Sequence, residues 1–393
     1  MFTSGTEDEM LERGLRTLLE GVRPEESSGN ALLRDIGEPL TECKRSAALH
    51  RIELLVLQLL RQLADNECPM LLIPKASDWS ASEQDAAVAG QDSQGGDLSP
   101  AAAATRVRFD VPASQHKFAV IVMLLSRAHK LLSTKSQGTR RQLYYEEVAF
   151  LKSQRQVDDG ALDVSRLVGL PPWNLGLLAT AKGLVAGDLT LTTTDGEVVD
   201  CSSKPGGVLI PGDVSSIDKV QSAARFILVL EKDTLFQRVL REGAANRLGP
   251  CILITAKGYP DVSTRVLLAR LEAQLKVPIL AVVDADPHGI HIMCVYRFGT
   301  KTCPLPIKSM RWLGLLPSEL VALGVKNIPL TDKDVALANT LLEKKYLNDA
   351  IRAEVEVMIK HGMKAEVDAL LHFSPSFITD VYLPNKIAAS NVL

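Results

Sequence analysis

The regular alternation of apolar runs with amphipathic stretches in the C-terminal half most strongly constrains the fold. The apolar runs are "RFILVLE", "PCILITA" and "VPILAVVDAD", and the stretches between them are "TLFQRVLREGAANRL" and "VSTRVLLARLEAQL". Strand, helix, strand, helix, strand at this spacing predicts an α/β domain with a parallel sheet and right-handed crossovers. We expect its functional site at the carboxyl ends of the strands, where open α/β sheets bind ligands.

Acidic residues follow two of the predicted strands. Glu231 ends the first run, and Asp284 and Asp286 end the third, so all three are expected on one rim of the sheet. Two carboxylates about 4 Å apart repel by roughly 4 kcal/mol at an effective dielectric constant of 20. Either one is protonated or a cation lies between them, and oxygen ligands without His or Cys favour Mg²⁺.

A purely structural interpretation of these acids stays open. Acidic residues after strands often cap the next helix, and Asp233 is expected to have this role. Neither GxGxxG nor GxxxxGK[ST] follows any predicted strand, which argues against a dinucleotide site or a P-loop.

The overall composition is that of a soluble globular protein of 393 residues. Its six cysteines show no CxxC spacing, so neither a disulfide framework nor a structural zinc site is indicated. No apolar run approaches the roughly 18 residues of a membrane span, and the start lacks the pattern of a signal peptide. We therefore expect an intracellular protein without a membrane segment.

The charge distribution is more informative than the net charge of −3. Between Arg127 and Arg155 there are seven Lys or Arg residues and two acids, and from Pro287 to Ser318 there are four basic residues and no acid. Two basic regions suit a polyanion held at defined sites, because phosphates neutralised by Lys and Arg release counterions. Solvated helix faces would give the same pattern.

The chain divides into three predicted regions. Residues 1–104 are expected to be a helical region followed by a disordered linker at 84–105, and the helix carries an apolar stripe of Leu49, Ile52, Val56, Leu59 and Leu63. We expect this stripe to dock a partner subunit rather than pack on its own domain. Residues 223–393 are expected to be the α/β domain with a C-terminal extension.

Residues 105–222 combine helices with a hairpin. Two helices precede a third that is predicted from Pro171 to near Gly183, and "LTLTTTDGEVVDC" then signals a tight turn at Asp195-Gly196. Helices followed by such a β-wing are typical of a winged-helix DNA-binding module.

The second predicted helix, "RRQLYYEEVAFLKSQ", carries two adjacent tyrosines. Helical spacing places Tyr144 on an apolar stripe with Val148 and Leu151, whereas Tyr145 shares a face with Arg141. A phenol is a poor nucleophile at neutral pH unless a cation stabilises its phenolate, which Arg141 is placed to do. A packing or phosphate-contacting role for Tyr145 remains open from these residues alone.

Taken together, these motifs resemble a known enzyme family. The stretches "TRRQLYYEE", "LVLEKD", "VVDADPHGIHIMCVYRFGT", "MRWLGLLPSEL" and "VYLPNK" are similar to motifs of the eukaryotic meiotic DNA double-strand-break transesterases, which are related to the A-type chain of topoisomerase VI. The resemblance extends from about Phe118 to the C-terminus. It implies a winged-helix domain that bears the nucleophile, followed by a Toprim domain that holds Mg²⁺.

The resemblance also assigns roles to residues. Tyr145 matches the catalytic tyrosine and Arg141 the arginine that accompanies it, while Glu231, Asp284 and Asp286 match the metal cluster. It further implies double-stranded DNA as substrate, a homodimer in which the tyrosine of one copy meets the metal of the other, a topoisomerase VI B-like partner and a nuclear location.

The expected activity is therefore Mg²⁺-dependent transesterification, which starts meiotic recombination. Tyr145 attacks a DNA phosphodiester and leaves a 3′-hydroxyl and a 5′-phosphotyrosyl link. Two alternatives stay open: a hydrolytic Toprim nuclease in which water attacks, and a DNA-binding scaffold subunit that does not cut.

Overall fold

The computed structural model describes residues 4–20, 40–74, 104–300 and 305–393. Its contacts divide the chain into two compact units. The first contains Ala181–Thr300 and Leu305–Leu393 together with the N-terminal helix Ser4–Glu20, and the second falls within Glu38–Thr180.

A six-stranded mixed sheet forms the centre of the first unit. Its strands, in spatial order, are Met310–Gly314, Ile279–Val282, Phe226–Leu230, Cys251–Thr255, Leu184–Gly187 and Val208–Leu209. The first four run parallel, which confirms the three predicted parallel strands, and the last two are antiparallel additions. The strands Phe226–Leu230 and Ile279–Val282 are hydrogen-bonded neighbours, so the residues that follow them emerge side by side.

The parallel strands are apolar because helices cover the sheet. Every residue of Phe226–Leu230, Cys251–Thr255 and Ile279–Val282 is buried. The helices of this unit are Ser4–Glu20, Asp233–Arg241, Ala244–Arg247, Val262–Leu275, Pro287–Phe298, Glu319–Leu323, Asp332–Leu342, Asp349–His361 and Leu383–Ala388. Two short strands, Ile328–Pro329 and Met363–Lys364, pair antiparallel beyond the sheet.

A separate three-stranded sheet contains the predicted hairpin. Thr190–Thr193 pairs with Val198–Asp200 across the turn at Asp195-Gly196, which confirms the hairpin, and with Ile217–Gln221 on its other side. This sheet belongs to the first unit, and the two units divide at residue 180, whereas the predicted domain boundary lies at residue 222. The segment between these positions joins the first unit because two of its strands extend the six-stranded sheet.

The second unit is mainly helical. Its helices are Glu42–Ala64, Pro112–Ser133, Arg140–Glu146 and Gln154–Val168. Two small sheets accompany them: Met70–Pro74 with Ala104–Arg108, and Gly138–Thr139 with Leu177–Leu178. One buried cluster that includes Ile52, Leu124 and Val164 forms its core.

Two local predictions for the second unit are wrong. The third helix is not at 171–183, because the chain makes a short 3₁₀ helix, Pro172–Leu175, and then turns through Gly176 at φ 76°, a value that favours glycine. The predicted apolar stripe of the helix Glu42–Ala64 is divided between two surfaces. Ile52 and Leu59 are buried in the core, whereas the exposed apolar side chains are Leu54, Val56, Leu57, Leu60 and Leu63.

Two further expectations concern the predicted linker and the absence of a membrane span. Residues 84–103 of the predicted linker lie outside the described residues, and its last two residues begin the strand Ala104–Arg108. None of the helices in the described ranges is both long enough and apolar enough to cross a membrane.

Candidate active site

The helix Arg140–Glu146 carries both tyrosines and is shorter than predicted. Thr139 caps it, because its side-chain oxygen accepts a hydrogen bond from the backbone N–H of Gln142 at 3.0 Å. The predicted continuation to residue 154 is wrong, since the chain turns after this helix and a new helix begins at Gln154. Residues after 146 therefore do not share a helical face with the tyrosines.

The two tyrosines lie in different environments. Tyr145 is 60% exposed, whereas Tyr144 packs against the core of the second unit. The sequence predicts that Val148 and Leu151 face the core together with Tyr144. Leu151 is buried, as predicted, but the prediction is wrong for Val148, which is 54% exposed because the helix has already ended. Of the two phenols, that of Tyr145 is the more accessible to a substrate.

Arg141 accompanies the exposed tyrosine, as the sequence predicts. Its guanidinium carbon lies 5.9 Å from the centroid of the Tyr145 ring, which is a cation–π distance. The neighbouring Arg140 instead pairs with Asp158 at 3.0 Å. Within the described ranges no carboxylate forms an ion pair with Arg141, so its charge is available to an anion beside the phenol.

The acidic rim comprises Glu231, Asp284 and Asp286, at the carboxyl ends of two adjacent parallel strands. Glu231 directly follows Phe226–Leu230, and its Oε2 accepts a hydrogen bond of 2.8 Å from the backbone N–H of Asp284. This bond joins the two acidic motifs, although 53 positions separate them in the sequence. The structure therefore brings Glu231 and Asp284 together, as predicted.

Asp284 is buried and receives hydrogen bonds on both carboxylate oxygens. Its Oδ1 accepts from the backbone N–H of Val367 at 2.8 Å, and its Oδ2 lies 2.8 Å from Nζ of Lys232. Lys232 also reaches Oε2 of Glu366 at 2.9 Å. A lysine ammonium and a segment near the C-terminus thus complete the surroundings of this carboxylate.

Gly289 keeps the rim compact. A Cβ atom at this position would lie 2.9 Å from the backbone nitrogen of Asp284 and 3.0 Å from Oε2 of Glu231, and closer still to the Asp284 carbonyl oxygen. Atoms at such distances overlap, so the turn after the third predicted strand has room only for glycine.

Asp286 has both a structural role and an available oxygen. It is the N-cap of the helix Pro287–Phe298, and its Oδ1 accepts a 2.6 Å hydrogen bond from the backbone N–H of Gly289. The capping interpretation is therefore correct for this residue. Asp233, by contrast, is the first helical residue rather than the cap, and it pairs with Lys257 at 3.2 Å.

The electrostatics of the rim favour a cation. Burial and the neighbouring Asp284 carboxylate raise the pKa of Glu231 to about 7. Burial also raises the pKa of Asp284, although Lys232 opposes this. Burial opposes the charged form of Lys232, but hydrogen bonds to Asp284 and Glu366 outweigh this effect and raise its pKa. Carboxylates with raised pKa values bind a cation favourably because it offsets their mutual repulsion.

The donor set fits a divalent metal held by few protein ligands. No three His, Cys, Asp or Glu side chains in the described ranges are arranged as a metal site. However, Oε1 of Glu231 and Oδ2 of Asp286 accept no hydrogen bond from the described part of the chain. Mg²⁺ commonly takes one or two carboxylates and completes its shell with water and phosphate, so this rim is compatible with it.

Sequence reasoning did not identify several neighbours of the rim. The hydroxyl group of Tyr259 lies 2.9 Å from Nδ1 of His291 and 3.4 Å from Nδ1 of His288. Burial raises the pKa of Tyr259, and the charges of Asp286 and Glu231 add to this effect. The position of His288 within the "DPHG" motif was the available signal.

Comparison with family models identifies both parts of the chain. Residues 226–387 match the model of the Toprim domain that Spo11 shares with the A-type chain of topoisomerase 6. Residues 116–177 match the model described as "Type IIB DNA topoisomerase". The first match contains the acidic rim and the second contains the tyrosine helix.

Individual relatives match over most of the chain. The human meiotic recombination protein SPO11 is 36% identical over 379 residues, covering 93% of this chain and 94% of the relative. The mouse protein of the same name is 35% identical and covers 87% of each chain. The meiotic recombination protein W68 of Drosophila melanogaster is 38% identical, covering 72% of this chain and 86% of the relative.

Proposed function

The chain belongs to the family that unites the A-type chains of topoisomerase VI with the Spo11 meiotic recombination proteins, and we propose that it makes the DNA double-strand breaks that start meiotic recombination. It is a topoisomerase-like enzyme that cleaves DNA and contains a Toprim domain. Its site of action is the nucleus, where its chromosomal substrate lies.

The proposed nucleophile is Tyr145, and the exposure of its phenol beside Arg141 is the observation that supports it. The phenolic oxygen loses its proton to solvent, attacks a backbone phosphorus and forms a new P–O bond. The bond from phosphorus to the 3′-oxygen breaks, the 3′-oxygen takes up a proton, and the phosphate stays on Tyr145 with the 5′ end. One phosphoester replaces another, so cleavage requires no nucleotide hydrolysis.

Arg141 assists by stabilising the phenolate. A phenol has an ordinary pKa near 10, so a nearby guanidinium increases the small fraction of nucleophile present at neutral pH. In the substrate complex its N–H groups are also suited to a phosphate oxygen.

The acidic rim is the proposed site of Mg²⁺, with Glu231, Asp284 and Asp286 as the residues that would hold it. A bound divalent ion would supply positive charge for the phosphate oxygens on which charge develops. The residues themselves hold the site in place: Glu231 binds the backbone of Asp284, and Asp286 fixes the helix that follows.

The proposed assembly has further components. We infer a homodimer on double-stranded DNA, in which Tyr145 of one copy works at the rim of the other, and a winged-helix arrangement for the domain that bears the tyrosine. We infer that a topoisomerase VI B-like partner docks on the exposed face of the helix Glu42–Ala64. Five exposed apolar side chains on this helix support that inference: Leu54, Val56, Leu57, Leu60 and Leu63.

An adduct assay tests the chemistry. Protein, labelled duplex DNA and Mg²⁺ are incubated with candidate B-like partners, denatured and separated. We expect a covalent protein–DNA product that disappears in Tyr145→Phe and persists in the matched control Tyr144→Phe. Cleavage that leaves free 5′-phosphate ends in wild type and in Tyr145→Phe would instead demonstrate hydrolysis. DNA binding without any cleavage under all partner combinations would favour a scaffold.

A further inference from the structure

Lys232 lies where it competes with a cation for the acidic rim. Its ammonium group bridges Asp284 at 2.8 Å and Glu366 at 2.9 Å. Its positive charge therefore satisfies the buried carboxylate that the proposed function assigns to the metal. A doubly charged ion that binds Asp284 must repel or displace this ammonium group, because like charges close together are unfavourable.

The two partners of Asp284 differ in mobility. The backbone N–H of Val367 is held in place, since Ala365, two positions earlier in the chain, exchanges backbone hydrogen bonds of 2.9 and 3.2 Å with Ala285. Lys232, in contrast, has a flexible side chain that is 31% exposed. The ammonium group is therefore the partner that can leave.

Glu366 offers the ammonium group a second position. Its side chain is 55% exposed, whereas that of Asp284 is 5% exposed, so the bridge extends from the buried carboxylate toward solvent. When Lys232 leaves Asp284, it can remain paired with Glu366 instead of becoming an unpaired charge beside the metal.

We propose that Lys232 and Glu366 are positioning residues that set the metal affinity of the acidic rim. Lys232 occupies Asp284 while the metal is absent, and Glu366 retains the ammonium group after the metal has displaced it. This inference rests on the proposed function, because it takes the rim as the metal site.

Direct metal binding tests the proposal without DNA cleavage. Binding of Mn²⁺, as a paramagnetic substitute for Mg²⁺, is measured on the full chain by electron paramagnetic resonance. We expect Lys232→Met to bind Mn²⁺ about tenfold more tightly than wild type, because the competing charge is gone. Lys232→Gln, which keeps a hydrogen-bond donor, should also bind Mn²⁺ more tightly than wild type. It replaces the methionine variant in this test if that variant does not fold.

Lys257→Met is the matched control. Lys257 also follows a strand of this sheet, and its side chain is 37% exposed, but it pairs with Asp233 and not with the rim. Its replacement should leave Mn²⁺ affinity within about twofold of wild type. If Lys257→Met bound Mn²⁺ as much more tightly as Lys232→Met does, net charge would explain the effect and the proposal would be wrong.

The role of Glu366 requires a double-mutant cycle. Glu366→Gln should weaken Mn²⁺ binding about threefold, because Lys232 then pairs with Asp284 alone. The same change in the Lys232→Met background should have much less effect. An undiminished effect there would show that Glu366 contributes only its own charge.

Thermal unfolding supplies a second measurement. In chelator, Lys232→Met should melt below wild type, since Asp284 has lost its partner, and saturating Mn²⁺ should close this gap. Unchanged or weaker Mn²⁺ binding in both Lys232 variants would refute the proposal and leave the proposed function intact. Absence of Mn²⁺ binding in wild type and in every variant would refute the metal site itself.

Discussion

Replacing Gly289 with alanine tests the geometry of the acidic rim. The new methyl group would overlap the backbone of Asp284 and approach Oε2 of Glu231 to 3.0 Å. A backbone cannot move aside as a flexible side chain can, so the turn itself must shift. Overpacking of this kind costs about 1–3 kcal/mol. Weakening the hydrogen bond from the Gly289 amide to Asp286 adds about 1 kcal/mol.

One effect opposes these costs. Alanine favours the helical conformation over glycine by about 1 kcal/mol, and Gly289 lies in the first turn of a helix. The net destabilisation is therefore about 1–3 kcal/mol, which corresponds to a decrease in melting temperature of roughly 3–10 °C for a unit of this size.

Calorimetry of the full chain in chelator, together with Mn²⁺ binding, measures the outcome. Gly138→Ala is the matched control, because a Cβ atom there meets nothing within 4 Å. We expect Gly289→Ala to melt at a lower temperature and to bind Mn²⁺ more weakly than wild type, and we expect the control to match wild type in both. If Gly289→Ala melted and bound Mn²⁺ like wild type, the close packing of the turn against Asp284 and Glu231 would be incorrect.

Three further predictions concern other parts of the chain. Burial raises the pKa of Asp334, but hydrogen bonds from Lys364 and the helix N-cap outweigh this and lower it to about 2. The charged carboxylate therefore stabilises the fold by about 2 kcal/mol, an effect that is complete above pH 4 and is lost as the pH falls toward 2. In urea unfolding, Asp334→Asn should be less stable than wild type at pH 7 and should converge with it in acid. Val56→Glu with Leu60→Glu, at positions 41% and 55% exposed, should leave the melting temperature unchanged and abolish co-purification with the B-like partner; loss of solubility would show that these side chains belong to the core. Arg141→Ala should reduce adduct formation about a hundredfold without changing the melting temperature, and an unchanged adduct rate would remove Arg141 from the mechanism.

The parts of the site that could be predicted are those specified by local sequence. Runs such as "FILVL" are buried parallel strands because a sheet covered by helices on its faces is filled mainly by apolar side chains. Parallel strands end on the same side, so Glu231 and Asp284 could be placed together from strand positions alone. The exposure of Tyr145 followed in the same way from its spacing relative to Tyr144.

The errors arise where tertiary contacts determine the local conformation. The helix Arg140–Glu146 ends early, although the residues after it continue a helical pattern. The helix Gln154–Val168 was missed, even though Val157, Ala161 and Val164 repeat at helical spacing. No local signal connects the segment around Val367 with Asp284, since their contact spans 83 positions.

The residues that control Asp284 are thus less visible in the sequence than the residue itself. A buried carboxylate requires partners that satisfy both of its oxygens, and here a lysine adjacent to Glu231 and a backbone amide near the C-terminus provide them. The backbone amide of Val367 cannot move away from Asp284 without breaking the hydrogen bonds between Ala365 and Ala285, whereas the ammonium group of Lys232 can. If the rim is the metal site, as we propose, the charge that stabilises Asp284 in the absence of metal is also the charge that a metal ion would displace, and we expect the affinity of the rim to depend on that exchange.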